Sequence, residues 1–193
     1  MCSSDLGTGV TTLWMDEGID TGDCLLQRWA GIETADTAGT LAARLAEIGA
    51  PLLAESLRLA HAGAAPRRPQ DATHASYAPK LTKGDGAIDW TLDAVTVWNR
   101  QRAVTPWPGA GTAHRGRRLI VTRAGPEHVL PLAEPPGAVL AAAGDVLVAC
   151  RPGALRLDRV KPEGRSEMSA AEWARGVRLA PGERLDIEEE ANA

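Results

Sequence analysis

Residues 9–27 read GVTTLWMDEGIDTGDCLLQ, and the architecture of the chain turns on them. Val10 to Met15 is a run of β-branched, aliphatic and aromatic side chains, the composition of a half-buried strand. Cys24 to Ala30 is a second such run. The stretch between them, Asp16 to Asp23, is polar and holds two glycines, so the two strands are expected to pair across it. That loop packs four acidic side chains, Asp16, Glu17, Asp20 and Asp23, into eight positions. A carboxylate held near others and partly desolvated has a raised pKa, which suits proton transfer at neutral pH. A divalent-metal site and an ordinary solvated hairpin loop compete with that reading. The alternate acidic spacing and distal Glu of an EF-hand are absent, and spacing alone favours the solvated loop.

Downstream of the paired strands, Thr34, Asp36 and Thr37 offer helix N-caps. Leu41, Leu45, Ile48 and Leu52 then recur at helical spacing, with Leu53, Leu57 and Ala60 expected to continue the face. Gly49 and Pro51 interrupt it, which predicts a kink or two short helices, because proline lacks a backbone donor and clashes with the preceding turn. From His61 to about Thr82 the chain loses periodicity and reads as a linker. Beyond it, Asp93 to Arg102 reads as a short helix. Thr105 to Gly109 reads as a rigid turn in which Trp107, between two prolines, is expected to pack as a wedge. Short strands are expected near Gly111–His114, Arg118–Ala124, Ala138–Ala142, Val146–Cys150 and Ala154–Val160, a spacing that suggests a small barrel. Ser169 and Glu172 form a capping box for a last helix carrying Trp173, and Pro181 to Ala193 reads as an acidic, frayed tail.

Composition narrows the class of protein. The chain has 193 residues, 44% hydrophobic, with no Phe, one Tyr and six Trp, so aliphatic side chains and tryptophans must fill the interior. Cys2, Cys24 and Cys150 lie far apart, which indicates neither a disulfide framework nor a zinc site. No long apolar run and no signal pattern occurs, and a soluble cytoplasmic protein is expected, with no membrane partner and no obligate protein partner. The net charge of −4 hides an asymmetry. Residues 1–81 hold 6 Lys+Arg against 10 Asp+Glu, residues 82–165 hold 12 against 8, and residues 166–193 hold 3 against 7. A basic module between acidic flanks points to a polyanionic partner, although arginines also serve simply to solvate a surface.

The stretch GVTTLWMDEGIDTGDCLLQ closely resembles the matching segment of the methionyl-tRNA formyltransferases, in which a DEGxDTGD loop follows a strand. The helix DTAGTLAARLAEIGAPLL, the segment YAPKLTKGDGAIDW and the turn TPWPGA resemble that family as well, so the likeness runs over about residues 8–186. The resemblance implies an α/β remnant of a Rossmann-like formyltransferase domain over residues 7–62. A linker over 63–82 and a small OB-like β-barrel that binds tRNA over 83–188 then follow. Residues 1–6 depart from the family and are expected to be a non-native leader, and 189–193 an acidic tail.

The resemblance also implies the chemistry. A formyl group passes from 10-formyltetrahydrofolate to the amino group of methionyl-initiator-tRNA, with no metal, through an Asn, a His and an Asp. The Asp matches Asp20, while Thr21 and Gly22 shape its loop and Asp16, Glu17 and Asp23 act as structural or capping groups. No position matches the Asn or the His, and none of His61, His74, His114 and His128 replaces the latter. The chain is therefore expected to be a truncated form with little turnover of its own. Cations expected at RNA phosphates are Arg100, Arg102, Arg115, Arg117, Arg118, Arg123, Arg159 and Lys161, joined by Arg67, Arg68 and Lys80. Two alternatives stay open, a tRNA-binding module without catalysis and a sugar-nucleotide formyltransferase.

Overall fold

In the computed structural model of the chain, residues 7–127 and 133–186 are described. They form two units, the first ending at Lys80 and the second beginning at Leu81. The expected leader at residues 1–6, His128 and the end of the acidic tail lie outside the described residues.

The first unit starts with the hairpin that its alternating sequence demands. Strand β1 (Gly7–Leu13) pairs antiparallel with β2 (Cys24–Gly31), in register from Gly7 opposite Gly31 to Thr12 opposite Leu26, with an irregularity at Leu13. Helix α1 (Ala38–His61) packs on both strands. Of the candidate caps, Thr37 is the one used: its hydroxyl accepts from the Thr40 backbone N–H, and the Thr40 hydroxyl accepts from the Thr37 N–H in return. Asp36 is buried beneath the cap. It accepts from the Glu33 N–H at 2.7 Å, from Arg44 Nη2 at 2.6 Å and from the Thr40 hydroxyl at 3.2 Å. The Glu33 N–H bond first, and the Arg44 guanidinium with it, hold its carboxyl below the usual range.

Two expectations for this helix are corrected. It runs unbroken through Pro51, which is exposed, so its ring meets solvent and the helix loses one internal hydrogen bond while the turns on either side stay packed. The buried face also turns differently after Leu52. It continues through Ser56, which is 3% exposed and whose hydroxyl bonds the Leu52 carbonyl and the Thr12 hydroxyl, both at 2.8 Å. Leu53 and Leu57 sit one position round the helix and are exposed, because a step of four from Leu52 reaches Ser56.

The expected linker begins as a structured strap. Arg68 exchanges backbone hydrogen bonds with Cys24, the Trp14 indole donates to the Pro66 carbonyl at 3.1 Å, and the Arg67 guanidinium lies 4.4 Å over the Trp14 ring. Residues 66–70 thus belong to the first unit. The reason escapes pattern reading: these contacts are made by backbone and side-chain atoms of an aperiodic segment.

In the second unit, helix α2 (Ala94–Ala103), capped by Asp93, leads into β3 (Ala110–His114) and β4 (Arg117–Glu127). Strands β5 (Val139–Ala141), β6 (Val146–Ala149) and β7 (Ala154–Pro162) follow. The order across the sheet is β3-β4-β7-β6-β5, all antiparallel, with the short β8 (Met168–Ser169) beside β7 and helix α3 (Ala170–Val177) after it. The Ser169–Glu172 capping box forms as expected. Leu119, Val121, Val146, Val148, Leu155 and Val160 line the core with Trp90 and Trp173. Trp107, in contrast, is 58% exposed, so it is no buried wedge: the prolines on either side turn it outward rather than onto the core.

The expected frayed tail is also corrected. The Gly182 N–H and the Glu183 carbonyl bond Val139 of β5, the Leu185 N–H bonds the Gly137 carbonyl, and Asp186 exchanges two backbone bonds with Ala113 of β3. Leu185 is fully buried. One segment therefore satisfies both edges of the sheet, which would otherwise expose unpaired backbone groups. Its acidic composition hid Leu185, an apolar anchor that holds it.

Candidate functional site

The acidic loop joins β1 to β2 at the end where the strands diverge. Asp16 organises it, accepting from the Gly18 N–H at 3.1 Å and the Thr21 hydroxyl at 2.7 Å. Asp23 closes it: its carbonyl accepts from the Trp14 N–H at 2.9 Å and its carboxylate lies 3.6 Å from Arg67. Gly22 is buried against the Trp14 carbonyl, and a Cβ there would stand 1.7 Å from that oxygen, so only glycine fits. Asp20 takes a left-handed backbone conformation, φ 58°, a region that costs most residues about 1 kcal/mol or more and that Asp tolerates better than most. Two hydrogen bonds stabilise that turn from outside the loop. The Gln70 carboxamide donates to the Asp20 carbonyl and to the Gly22 carbonyl, each at 2.8 Å.

The side chain of Asp20 is thereby presented to solvent from a loop fixed at both ends. Asp16 to Thr21 are all exposed, which fits the solvated loop that spacing favours and not the partly desolvated one. Among the described residues no three His, Cys, Asp or Glu side chains converge as a metal site requires. Gln70 was not foreseen, and no signal in its surroundings marks it.

The expected RNA-facing cations are dispersed in role. Arg67 and Arg68 are built into the strap, and Lys80 is exposed in the chain beyond it. Arg102 is half-buried, stacked 4.4 Å over Trp98 and bonded to Asn99. Arg115 makes a bidentate pair with Glu183 at 2.9 and 3.0 Å, so it holds the closing segment in place. Arg100 is exposed in the last turn of α2, near Asp85 and Asp89. Arg118, Arg123, Arg159 and Lys161 are exposed on β4 and β7, whose Leu119, Val121 and Val160 are buried. The register sets Arg123 opposite Arg159 and Ile120 opposite Lys161. Arg159 also pairs with Glu167, and Arg123 lies 3.9 Å from Asp158. Arg117 is exposed where the β3–β4 hairpin returns.

The sequence and the fold both match known proteins. The model of the formyl transferase C-terminal domain matches residues 80–178, about half of the chain, and that of the formyl transferase domain matches residues 2–57. The chain belongs to the formyl transferase family. Among curated relatives of this chain, the methionyl-tRNA formyltransferase of Heliobacterium modesticaldum is 44% identical over 186 residues, covering 92% of this chain and 59% of the relative. That of Anaeromyxobacter sp. strain K is 48% identical over 174 residues, covering 89% and 56%. The chain thus spans somewhat more than half the length of the curated relatives it matches. Among solved structures, HypX from Aquifex aeolicus in complex with tetrahydrofolic acid shares the fold, with a TM-score of 0.67 and 23% identity over 96% of this chain and 34% of that one. The sugar 3N-formyl transferase WlaRD shares it at a TM-score of 0.62 and 15% identity, over 84% of this chain and 57% of that one.

Proposed function

We propose that this chain carries the Asp-bearing loop and the RNA-binding unit of a methionyl-tRNA formyltransferase, acting in translation initiation in the cytoplasm. What carries the reading is identity of 44–48% that runs through both units to proteins of that name, against 15% to a sugar formyltransferase. The second unit is taken as an OB-like barrel, a reading supported by the segment that bonds both of its edges. Among the described residues no helix is long and apolar enough to cross a membrane.

In this reading Asp20 is the catalytic carboxylate, and its exposed oxygens accept a proton from the methionyl amine as that amine attacks. Thr21 and Gly22 set its position, the first through its hydroxyl, which donates to the Asp16 carboxylate, and the second through its close approach to the Trp14 carbonyl. The donor is a 10-formyl derivative of tetrahydrofolate, which supplies the formyl group when bound. The exposed carboxylates of the loop are acceptors that suit the N–H groups of a reduced pterin. No position of the chain matches the family's Asn and His, which would stabilise the oxyanion. Turnover by the 193-residue chain itself is therefore expected to be slight.

The test is binding of the purified chain to initiator methionyl-tRNA across a salt series, with uncharged tRNA and a sugar nucleotide as comparators. Salt-sensitive tRNA affinity with little formyl transfer is the expected result. A folded chain that binds the sugar nucleotide and not tRNA overturns the reading in favour of a sugar-nucleotide formyltransferase.

A further inference from the structure

The turn between α2 and β3 holds a tryptophan in the open. Thr105 to Gly109 reads TPWPG, and Trp107 stands 58% exposed between two prolines, whose rings fix φ on either side of it. At the base of the turn Val104 and Gly109 are buried. Among the described residues of the second unit, the other large apolar side chains left exposed are Leu81 and Val95, each less so than Trp107.

The turn is fixed before any ligand arrives. Gln101 of α2, 2% exposed, donates from its carboxamide to the Thr105 hydroxyl and to the Thr122 carbonyl of β4, each at 3.0 Å. The Thr105 hydroxyl in turn donates to the Gln101 carbonyl at 2.7 Å, and the Gly109 N–H donates to the Val104 carbonyl at 2.9 Å. Gly86 packs so closely on the turn that a Cβ there would stand 2.3 Å from the Gly109 carbonyl oxygen and 3.2 Å from Cγ of Pro108. A Cβ on Gly109 would stand 3.3 Å from the Ile120 side chain of β4. Helix α2, strand β4 and the Gly84–Gly86 turn thus hold the loop from three sides, and its largest side chain is the one left in solvent. The same elements bring cations to it. Lys83 leads into the Gly84–Gly86 turn, Arg100 lies in the last turn of α2, and Lys161 stands opposite Ile120 in register, all three exposed. Asp85, the carboxylate of the Gly84–Gly86 turn, is engaged by the Thr82 N–H and hydroxyl at 2.6 and 2.8 Å.

Size decides what such a ring can hold. One tryptophan buries about 150–250 Å2, far short of the roughly 800 Å2 that a stable protein partner covers on each side. A single flat base needs no more than one aromatic face, with positive charge near the strand that carries it. We infer that Trp107 is a stacking platform for one unpaired nucleobase of an RNA strand. The identity of the strand rests on the proposed function; the rigid, outward indole rests on the turn alone. Because the turn is set in advance, stacking orders little beyond the base itself. The platform meets the face of the base and not its hydrogen-bonding edges, so it tolerates any sequence and selects for a base that is not paired.

The test uses the whole chain, an RNA hairpin with a single-stranded 3′ overhang, and the same hairpin with a blunt end. Affinity for each is read across a potassium chloride series. W107A is expected to weaken binding of the overhang hairpin by about 5- to 150-fold, and by the same factor at every salt concentration, since no cation is removed. The blunt hairpin and the melting temperature are expected to stay as they are, and W107F to keep most of the overhang affinity. W29A, which removes the exposed Trp29 of the first unit, serves as the control and is expected to change neither affinity. Overhang binding that W107A leaves intact, or a loss shared equally by the blunt hairpin, overturns the platform and leaves the proposed function standing. A loss that comes with a changed salt slope overturns it as well, because stacking carries no charge. Failure of the chain to bind either hairpin removes the proposed function and the nucleobase together.

Discussion

Glu183→Ala is the perturbation that best tests how the second unit is held together. The Glu183 carboxylate sits at 3.0 Å from Nε2 of the buried His114, accepts two hydrogen bonds from Arg115, and accepts the Ala180 N–H at 2.9 Å. Removing it strands a buried imidazole nitrogen, and a hydrogen bond to a charged acceptor in such a place contributes about 1.5–3 kcal/mol. The Arg115 pair is more than half exposed on the arginine side and adds no more than about 1 kcal/mol after solvent screening. The expected loss is therefore about 3 kcal/mol, or about 12 °C in the melting of the second unit at about 4 °C per kcal/mol. Acid supplies an independent check. The His114 hydrogen bond first, and the Arg115 charge with it, hold the Glu183 carboxyl below the usual carboxylate range. A carboxyl whose pKa is lowered by folding stabilises the fold fully above its unfolded value of about 4.3, and loses that contribution as the pH falls through the lower folded value. Melting followed by circular dichroism should show the full gap between wild type and variant at neutral pH, narrowing below about pH 4. A loss under about 1 kcal/mol, or a gap that does not narrow in acid, refutes the reasoning.

Gly22→Ala should disrupt the loop outright, because its Cβ would overlap the Trp14 carbonyl oxygen; the expected cost is about 3 kcal/mol or more, visible as rapid amide exchange from Trp14 to Cys24. Gln70→Ala should be milder, releasing the Asp20 and Gly22 carbonyls for about 1–2 kcal/mol with exchange faster in the loop alone, while unchanged protection there would refute its role as a clamp. Burial pushes the Cys150 thiol up to about 12, so a thiol reagent at neutral pH should label the half-buried Cys24 in the native chain and Cys150 only after unfolding.

What the sequence disclosed, it disclosed through periodicity and local chemistry. The hairpin around Asp16–Asp23, the cap at Thr37, the Ser169–Glu172 box and the five longer strands of the second unit all lie within a few residues of where alternation and capping place them. The misses share a cause. Ser56 displaced Leu57 from the buried face because its hydroxyl met the Leu52 carbonyl one turn back and Thr12 from a distant strand, polar contacts that a hydrophobic count does not register. Leu185 and Glu183 pin a segment that is acidic on average, and Gln70 reaches the loop from a stretch without pattern. At the candidate site the acidic loop was readable as the link between two strands, while Asp20 stood out only through resemblance to a family motif. Its support was not readable, since a carboxamide donating to two carbonyls leaves no spacing rule behind.

The strap at residues 66–70 also shortens the chain that runs on to the second unit. Asp71 to Lys80, exposed throughout, is what remains of the expected linker, about half of it, with a short 3-10 turn at Ala72–His74. The strap and the acidic loop are one mechanical piece, because Gln70 bonds the Asp20 and Gly22 carbonyls. Whatever opens the strap at Gln70 loosens the loop in the same motion.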